Sequence, residues 1–264
     1  MSRKFTIYIL LYNSEKSINW VFDEIDKFDV NYINQIYLVD NKSLDNTIEK
    51  CKERRAISHL KEKIKLLCNN NNYGMGGSLK NCIENFKSNS SNEFMCILHS
   101  NGKGINSKIF NSFVNEYKNN LNVDFLTTTR FSKSTNLANY PKSRVYGNYI
   151  FNLITFILSG KYFTDSGSGL VLIKRDLLKD VNLDDLTNGP QFNPMLNIFL
   201  KAKSKNFKEI PIDWREGKLP SNISVLSYSI ELLKILTKYF IFSRVLKRKN
   251  YWKFKSLERK YTLI

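Results

Sequence analysis

Short apolar runs alternate with amphipathic stretches through the first half of the chain. FTIYILL (5–11) gives way to SEKSINWVFDEIDKF (14–28), QIYLVD (35–40) to DNTIEKCKERR (45–55), and KIKLLCN (63–69) to GGSLKNCIENFK (76–87). FMCILH (94–99) then leads to SKIFNSFVNEYKNN (107–120) and VDFLTTT (123–129). Runs too short for helices, separated by stretches of helical periodicity, predict strands joined by crossover helices. The fold class that follows is α/β, with a Rossmann-like, mostly parallel sheet flanked by helices.

In such sheets ligands gather beyond the carboxyl ends of the strands, where loops and helix N-termini converge. Polar residues fall at those positions here. The first strand ends in Tyr12 and Asn13, the second in Asp40 and Asn41, the third in an Asn-rich loop before GMGG, and the fourth in LHSNGKG (98–104). Four strand ends therefore face one predicted cleft.

Past Thr129 the pattern changes. It predicts a long apolar helix from about Arg144 to Ser159, a TDSGSG loop (164–169), a helix and strand, and the strand FKEIPIDW (207–214). An amphipathic helix, VLSYSIELLKILTKYFIF (225–242), sets Leu226, Ile230, Leu233 and Leu236 or Thr237 roughly along one face. It leads into SRVLKRKNYWKFKSLERK (243–260), where cations interleave with aromatics. The expected division is a main domain over 1–223 and a helix with a basic, membrane-interfacial tail over 224–264.

Composition narrows the partners. With 41 basic and 24 acidic residues among 264, the formal charge is +17, which suits an anionic partner or else reflects a compositional bias toward Lys. No nucleic-acid-binding motif is present, so an anionic membrane surface is the expected partner and nucleic acid is not. The longest charge-free run, VYGNYIFNLITFILSG, is too short and too polar to span a bilayer. Cys51, Cys68, Cys82 and Cys96 form no C-x-x-C pair and read as reduced core thiols of a cytosolic protein. FTIYILL reads as a first strand, since no cleavage site of a signal peptide follows it.

The ordered series YNSEKSI, LVDNKSLDNT, NYGMGGSLKN, ILHSNGKG, TRF, YPKSRVYGN, TDSGSG and EIPIDWREGKLPSN resembles the family 2 glycosyltransferases of GT-A fold, in the branch like dolichyl-phosphate mannosyltransferase. The resemblance runs from residue 5 to about 240. It implies a GT-A sheet and inverting transfer of a sugar from a nucleotide-diphosphate sugar to a lipid-linked or saccharide acceptor, in polysaccharide or glycolipid synthesis at the cytoplasmic membrane face. The alternative is an inactive relative that binds sugar nucleotides and acts through protein contacts.

Positions matching the family's motifs supply the candidate residues. Tyr12, Asn13, Glu15, Asp40, Asn41 and Gly76 match the nucleotide-sugar pocket; Asp40 and the GMGG glycines have a local reading too, as a helix cap and a tight turn. Asp45 is assigned to the cap of the second helix. Where the family carries a metal-binding D-x-D-like motif, this chain reads His99, Asn101 and Lys103. A neutral amide and an ammonium are poor partners for Mg²⁺ or Mn²⁺, so a divalent cofactor is not expected; Lys103 stands in for the ion, and His99 and Asn101 bond the diphosphate or sugar. Asp165 matches the acid near the acceptor, a general base for a hydroxyl acceptor or an Asx-turn residue. Arg130, Arg144, Arg215 and Ser221 match phosphate- or acceptor-binding positions, with an interfacial anchor as the other reading of Arg144. Asn41, Met195 and Asn222 depart from the family's usual residues.

Overall fold

A computed structural model of the chain describes residues 4–89, 92–100, 106–138, 140–215, 225–241, 254 and 258–264. Strands β1 (Phe5–Leu11), β2 (Ile33–Asp40), β3 (Ile64–Asn69) and β4 (Phe94–His99) run parallel in the spatial order β3-β2-β1-β4. Helices α1 (Ile18–Ile25), α2 (Thr47–Ile57) and α3 (Gly74–Asn89) connect them, as the alternating pattern predicts. Helix α4 (Ser107–Asn119) leads to β5 (Phe125–Thr129), the short β6 (Leu137–Ala138) and α5 (Lys142–Ser159). Then follow β7 (Val171–Lys174), α6 (Arg175–Lys179), α7 (Phe192–Lys203), β8 (Phe207–Pro211), β9 (Trp214–Arg215), α8 (Val225–Tyr239) and β10 (Tyr261–Leu263).

The main sheet has eight strands in the order β10-β3-β2-β1-β4-β7-β5-β8, while β6 and β9 form a separate parallel pair. β7 runs antiparallel to both its neighbours, so the sheet is mixed but mostly parallel. All of β1 is buried because both faces of the sheet are covered. Its side chains alternate: Ile7 and Ile9 pack with Ile18 and Phe22, whereas Tyr8 and Leu10 pack with Leu79, Ile83 and Phe86. Cys51, Cys82 and Cys96 are buried and Cys68 half-buried, all as free thiols.

Three features depart from the sequence reading. The end of the basic tail is not a separate appendage: β10 pairs antiparallel with the edge of β3, and the main-chain groups of Ile264 and Leu66 exchange bonds of 2.9 Å. An edge strand with open N–H and C=O groups is thereby covered. In α8 the buried side chains among the described residues are Leu232, Ile235 and Leu236, so the predicted stripe splits: Leu236 is buried, while Ile230 and Leu233 are exposed. The third concerns α5, which buries Asn152, Thr155 and Ser159 and exposes Tyr146, Ile150, Leu153 and Ile157. That is the reverse of a helix laid on a core. No helix among the described residues is long and apolar enough to cross a membrane.

Candidate active site

The ends of β1 to β4 are stitched side by side by short polar side chains. Ser14, just past β1, meets the Ser100 hydroxyl at 2.9 Å and donates its backbone N–H to Thr47 Oγ1 at 2.8 Å. Asn13 lies in the left-handed region at φ 47°, where its Oδ1 accepts the N–H of Leu44 at 2.9 Å and its own N–H reaches Ser43 Oγ. Lys42, across the cleft rim, is also left-handed at φ 61°. Two non-glycine residues in that region, on adjoining loops, place strain where the ligand loops meet.

Asp40 is buried at the end of β2, and both hydrogen bonds to its carboxylate come from Ser43, through the backbone N–H (3.0 Å) and the hydroxyl. Each oxygen takes one of these, which leaves further acceptor capacity on both among the described residues. Asn41 is a hub. Its Oδ1 accepts from Asn69 Nδ2 and from the Tyr73 N–H, each at 3.0 Å, while its Nδ2 donates to Asn72 Oδ1 at 2.8 Å. The residue that departs from the family's acid therefore fixes the 69–74 loop, a job a carboxylate, which only accepts, does not do.

Tyr12 is exposed at the same rim. Glu15 turns toward α2, with an ion pair to Lys50 at 3.2 Å. Asp45 is not the cap assigned to it: the N-cap of α2 is Asn46, and Asp45 sits one residue earlier, where its carboxylate accepts the N–H groups of Thr47 at 3.2 Å and Glu15 at 3.1 Å. Gly76 donates its N–H to the Asn188 carbonyl at 2.9 Å, and a Cβ there would lie 2.4 Å from the Thr187 carbonyl oxygen. Its bareness thus serves the close approach of residues 187–188.

His99 ends β4, and its Nε2 lies 3.2 Å from the Gly169 carbonyl. A carbonyl only accepts, so Nε2 carries the proton and the N–H is committed to that contact. The two segments touch so closely that a Cβ on Gly169 would lie 2.5 Å from His99 Nε2. Burial pushes the imidazole pKa down to about 4 against the weaker pull of the Gly169 carbonyl, so the ring is neutral. Unfolding restores a group that titrates near 6.5, and stability from this source is full above that pH. It falls by about 1.4 kcal/mol per unit as pH drops from there toward 4. The urea midpoint should follow that slope, and His99→Gln, which keeps a donor for Gly169, should flatten it; an unchanged slope would show that other groups set it.

The Gly169 contact links this loop cluster to a second one. Asp165, 1% exposed, receives Arg130 Nε at 2.7 Å and Nη2 at 2.8 Å, with the Arg130 backbone N–H at 3.2 Å. Burial disfavours the guanidinium charge, but Asp165 outweighs it and holds Arg130 firmly protonated. Three rings surround the cation, with centres 5.2 Å (Phe131 and Trp214) and 5.9 Å (Tyr140) from its central carbon. Tyr228 of α8 is close by, its phenol pushed up to about 12 by burial.

Groups that the motifs did not single out support this pair. Glu209 of β8 accepts the backbone N–H groups of Thr164 (3.0 and 3.1 Å) and Asp165 (3.1 Å). Asn197 of α7 donates to the carbonyls of Ser166 and Ser168, and Asn152 of α5 bonds Ser166 from the other side. The sequence signal for Glu209 is an acid inside the strand-like run FKEIPIDW, which also holds Asp213.

Arg144 sits in the first turn of α5 beside Lys142. Cations at a helix N-terminus oppose the helix dipole, a placement that a bound anion would offset. Asn101, Lys103, Ser221 and the side chain of Arg215 lie outside the described residues. Where the resemblance implies a metal-binding motif, an amide and an ammonium, Asn101 and Lys103, stand in place of acids, and both are poor partners for a hard divalent cation.

No family model matches the chain. The UDP-N-acetylglucosamine–dolichyl-phosphate N-acetylglucosaminyltransferase of Methanococcus voltae is 26% identical over 226 residues, covering 78% of this chain and 84% of that protein. Among solved structures, residues 1–349 of S. aureus TarS superpose with a TM-score of 0.55 at 16% identity, covering 94% of this chain and 76% of that one. Glucosyl-3-phosphoglycerate synthase from Mycobacterium tuberculosis, in complex with Mn²⁺, UDP and phosphoglyceric acid, gives 0.62 at 12% identity, with 91% and 78% covered. The sheet and its helical layers are those of the GT-A fold. Together with the ordered motifs and the archaeal relative, they support a glycosyltransferase that resembles those of family 2.

Proposed function

We propose that the protein transfers a sugar, with inversion, from a nucleotide-diphosphate sugar to a phosphate carried on a lipid. The observation that carries this reading is the joining of the two clusters. Loops beyond β1 to β4 form a cradle for the donor, and the His99–Gly169 contact fixes it against the Arg130–Asp165 pair. The names of the relatives support the donor class, and the M. voltae protein supports a lipid phosphate as acceptor.

In this reading an oxygen of the acceptor phosphate attacks the anomeric carbon, and the bond from that carbon to the donor diphosphate breaks. An ionised phosphate needs no base. Asp165, whose oxygens are engaged by Arg130, acts by orienting the guanidinium toward the incoming anion, and Arg144, Arg215 and Ser221 contribute to the same acceptor region. Asp40 and Tyr12 receive the base and ribose, and Lys103 with Asn101 neutralises the departing diphosphate.

The outward apolar faces of α5 and α8, flanked by Lys142, Arg144, Lys234 and Lys238, suit peripheral attachment to an anionic bilayer at the cytoplasmic face. Vesicles holding a polyprenyl phosphate, incubated with labelled UDP-sugars or GDP-sugars and EDTA, should yield an organic-extractable, acid-labile glycolipid. Failure with every donor, with or without Mn²⁺, would sink the reading.

A further inference from the structure

We infer that strand β10 is a clasp that orders the donor-side loop 69–74, with Lys260 and Tyr73 as its positioning residues. The inference rests on the nucleotide-sugar reading of the cleft and adds what holds one of its walls in place. Asn41 grips this loop from the inside, through Asn69, Asn72 and Tyr73. Lys260 grips it from the outside. Its carbonyl accepts the Asn70 N–H at 3.0 Å, and its own N–H donates to the Tyr73 hydroxyl at 3.0 Å.

Covering the edge of β3 does not require these two bonds. The ladder sets Tyr261, Thr262 and Leu263 opposite Asn69, Cys68 and Leu67, and Ile264 bonds Leu66, which already occupies the strand. Lys260 reaches past the last residue of β3, to the carboxyl end where ligands of such sheets gather. Tyr73 is buried there against the first turn of α3, so closely that a Cβ on Gly77 would lie 2.5 Å from the Tyr73 Cβ. A shift of the ring therefore disturbs the glycine-rich turn as well as the loop.

β10 can serve as a fixed post because it is anchored apart from the loop. Arg259, its side chain 7% exposed, pairs with Glu84 of α3 at 2.5 Å. The Tyr261 hydroxyl accepts from Asn85 Nδ2 at 3.4 Å, and the buried Asn85 in turn accepts the hydroxyl of Tyr8, in the middle of β1, at 2.7 Å. A loop held from both sides has less freedom to lose when a ligand settles on it, so the clasp contributes to donor affinity and not to bond breaking.

Calorimetric titration of the full chain with UDP and with GDP, in EDTA, tests the clasp. Tyr73→Phe keeps the ring and deletes the acceptor. Lys260→Pro deletes the N–H and keeps the carbonyl, at the start of an edge strand, where proline is tolerated. Either change should weaken binding of the nucleotide that the wild type takes by about fivefold, the scale of one hydrogen bond's preference for the ordered loop. The double variant should bind no more weakly than the singles, because both remove the same bond. In the transfer assay the donor KM should rise by the same factor with kcat unchanged. Lys260→Ala retains the N–H and should bind as the wild type does, since the ammonium is exposed and pairs with Glu258. Losses that multiply in the double variant, a fall in kcat, or a loss in Lys260→Ala would overturn the inference, the last by assigning the effect to charge. Wild-type binding of neither nucleotide would sink the donor reading and the clasp with it, whereas wild-type binding that Tyr73→Phe and Lys260→Pro retain would sink the clasp alone.

Discussion

Asp165→Ala is expected to lower the stability of the fold by about 3–5 kcal/mol, the range for removing one partner of a buried ion pair. The size follows from burial and geometry. Asp165 is 1% exposed, and it supplies both acceptors for a guanidinium whose side chain is itself only 18% exposed. Without it, Arg130 keeps three aromatic faces but no anion, and such faces are worth about 0.5–2 kcal/mol. Urea unfolding measures the loss directly. Arg130→Met alone should cost a similar amount, since it leaves the carboxylate buried, while the double variant Asp165→Leu, Arg130→Met should recover most of the stability and none of the transfer activity. Simple addition of the two single losses would show that the residues do not act as a pair.

That pair also marks the limit of motif reading. The sequence assigned Arg130 to phosphate and Asp165 to the acceptor side as separate roles, because a separation of 35 residues carries no contact information. The strands were legible for a different reason. A run such as FTIYILL states its own environment, since a strand buried on both faces needs apolar residues at every position. The four polar strand ends were legible as well, because crossover topology alone sends them to one edge.

Helical faces were less so. Periodicity says that α8 has an apolar stripe but not whether the stripe meets the core or the outside, and Ile230 and Leu233 face out. For α5 the small polar residues Asn152, Thr155 and Ser159 turn inward because loop 164–166 offers Asn152 main-chain partners and Ser159 bonds back to Thr155. β10 escaped notice since three residues, YTL, carry too little pattern to predict a strand, and its place is set by the open edge of β3. Asn41 looked like a weakened acid. Only its three bonds to loop 69–74 show why an amide, donor and acceptor at once, belongs there.

Lys103→Ala is expected to reduce transfer by about 10²–10³-fold, the scale for losing one group that stabilises charge developing in a transition state. The residue lies outside the described positions, so the prediction rests on the sequence and on what surrounds it. β4 delivers His99 as a neutral ring whose N–H is taken by Gly169, and that leaves the positive charge required by a departing diphosphate to come from the residues just beyond. Lys103 is the cation in that heptapeptide. The loss should be the same in EDTA and in Mn²⁺, because no carboxylate is present at the motif to bring an ion to the lost position. Donor affinity should fall less than turnover if the ammonium acts mainly on charge that appears as the bond breaks. The converse variant sharpens the test: Asn101→Asp combined with Lys103→Ala restores an acid and removes the competing cation, and should convert residual activity into activity that depends on Mn²⁺. Wild-type turnover that collapses in EDTA, or a Lys103→Ala enzyme that Mn²⁺ rescues, would place an ion where the lysine has been assigned.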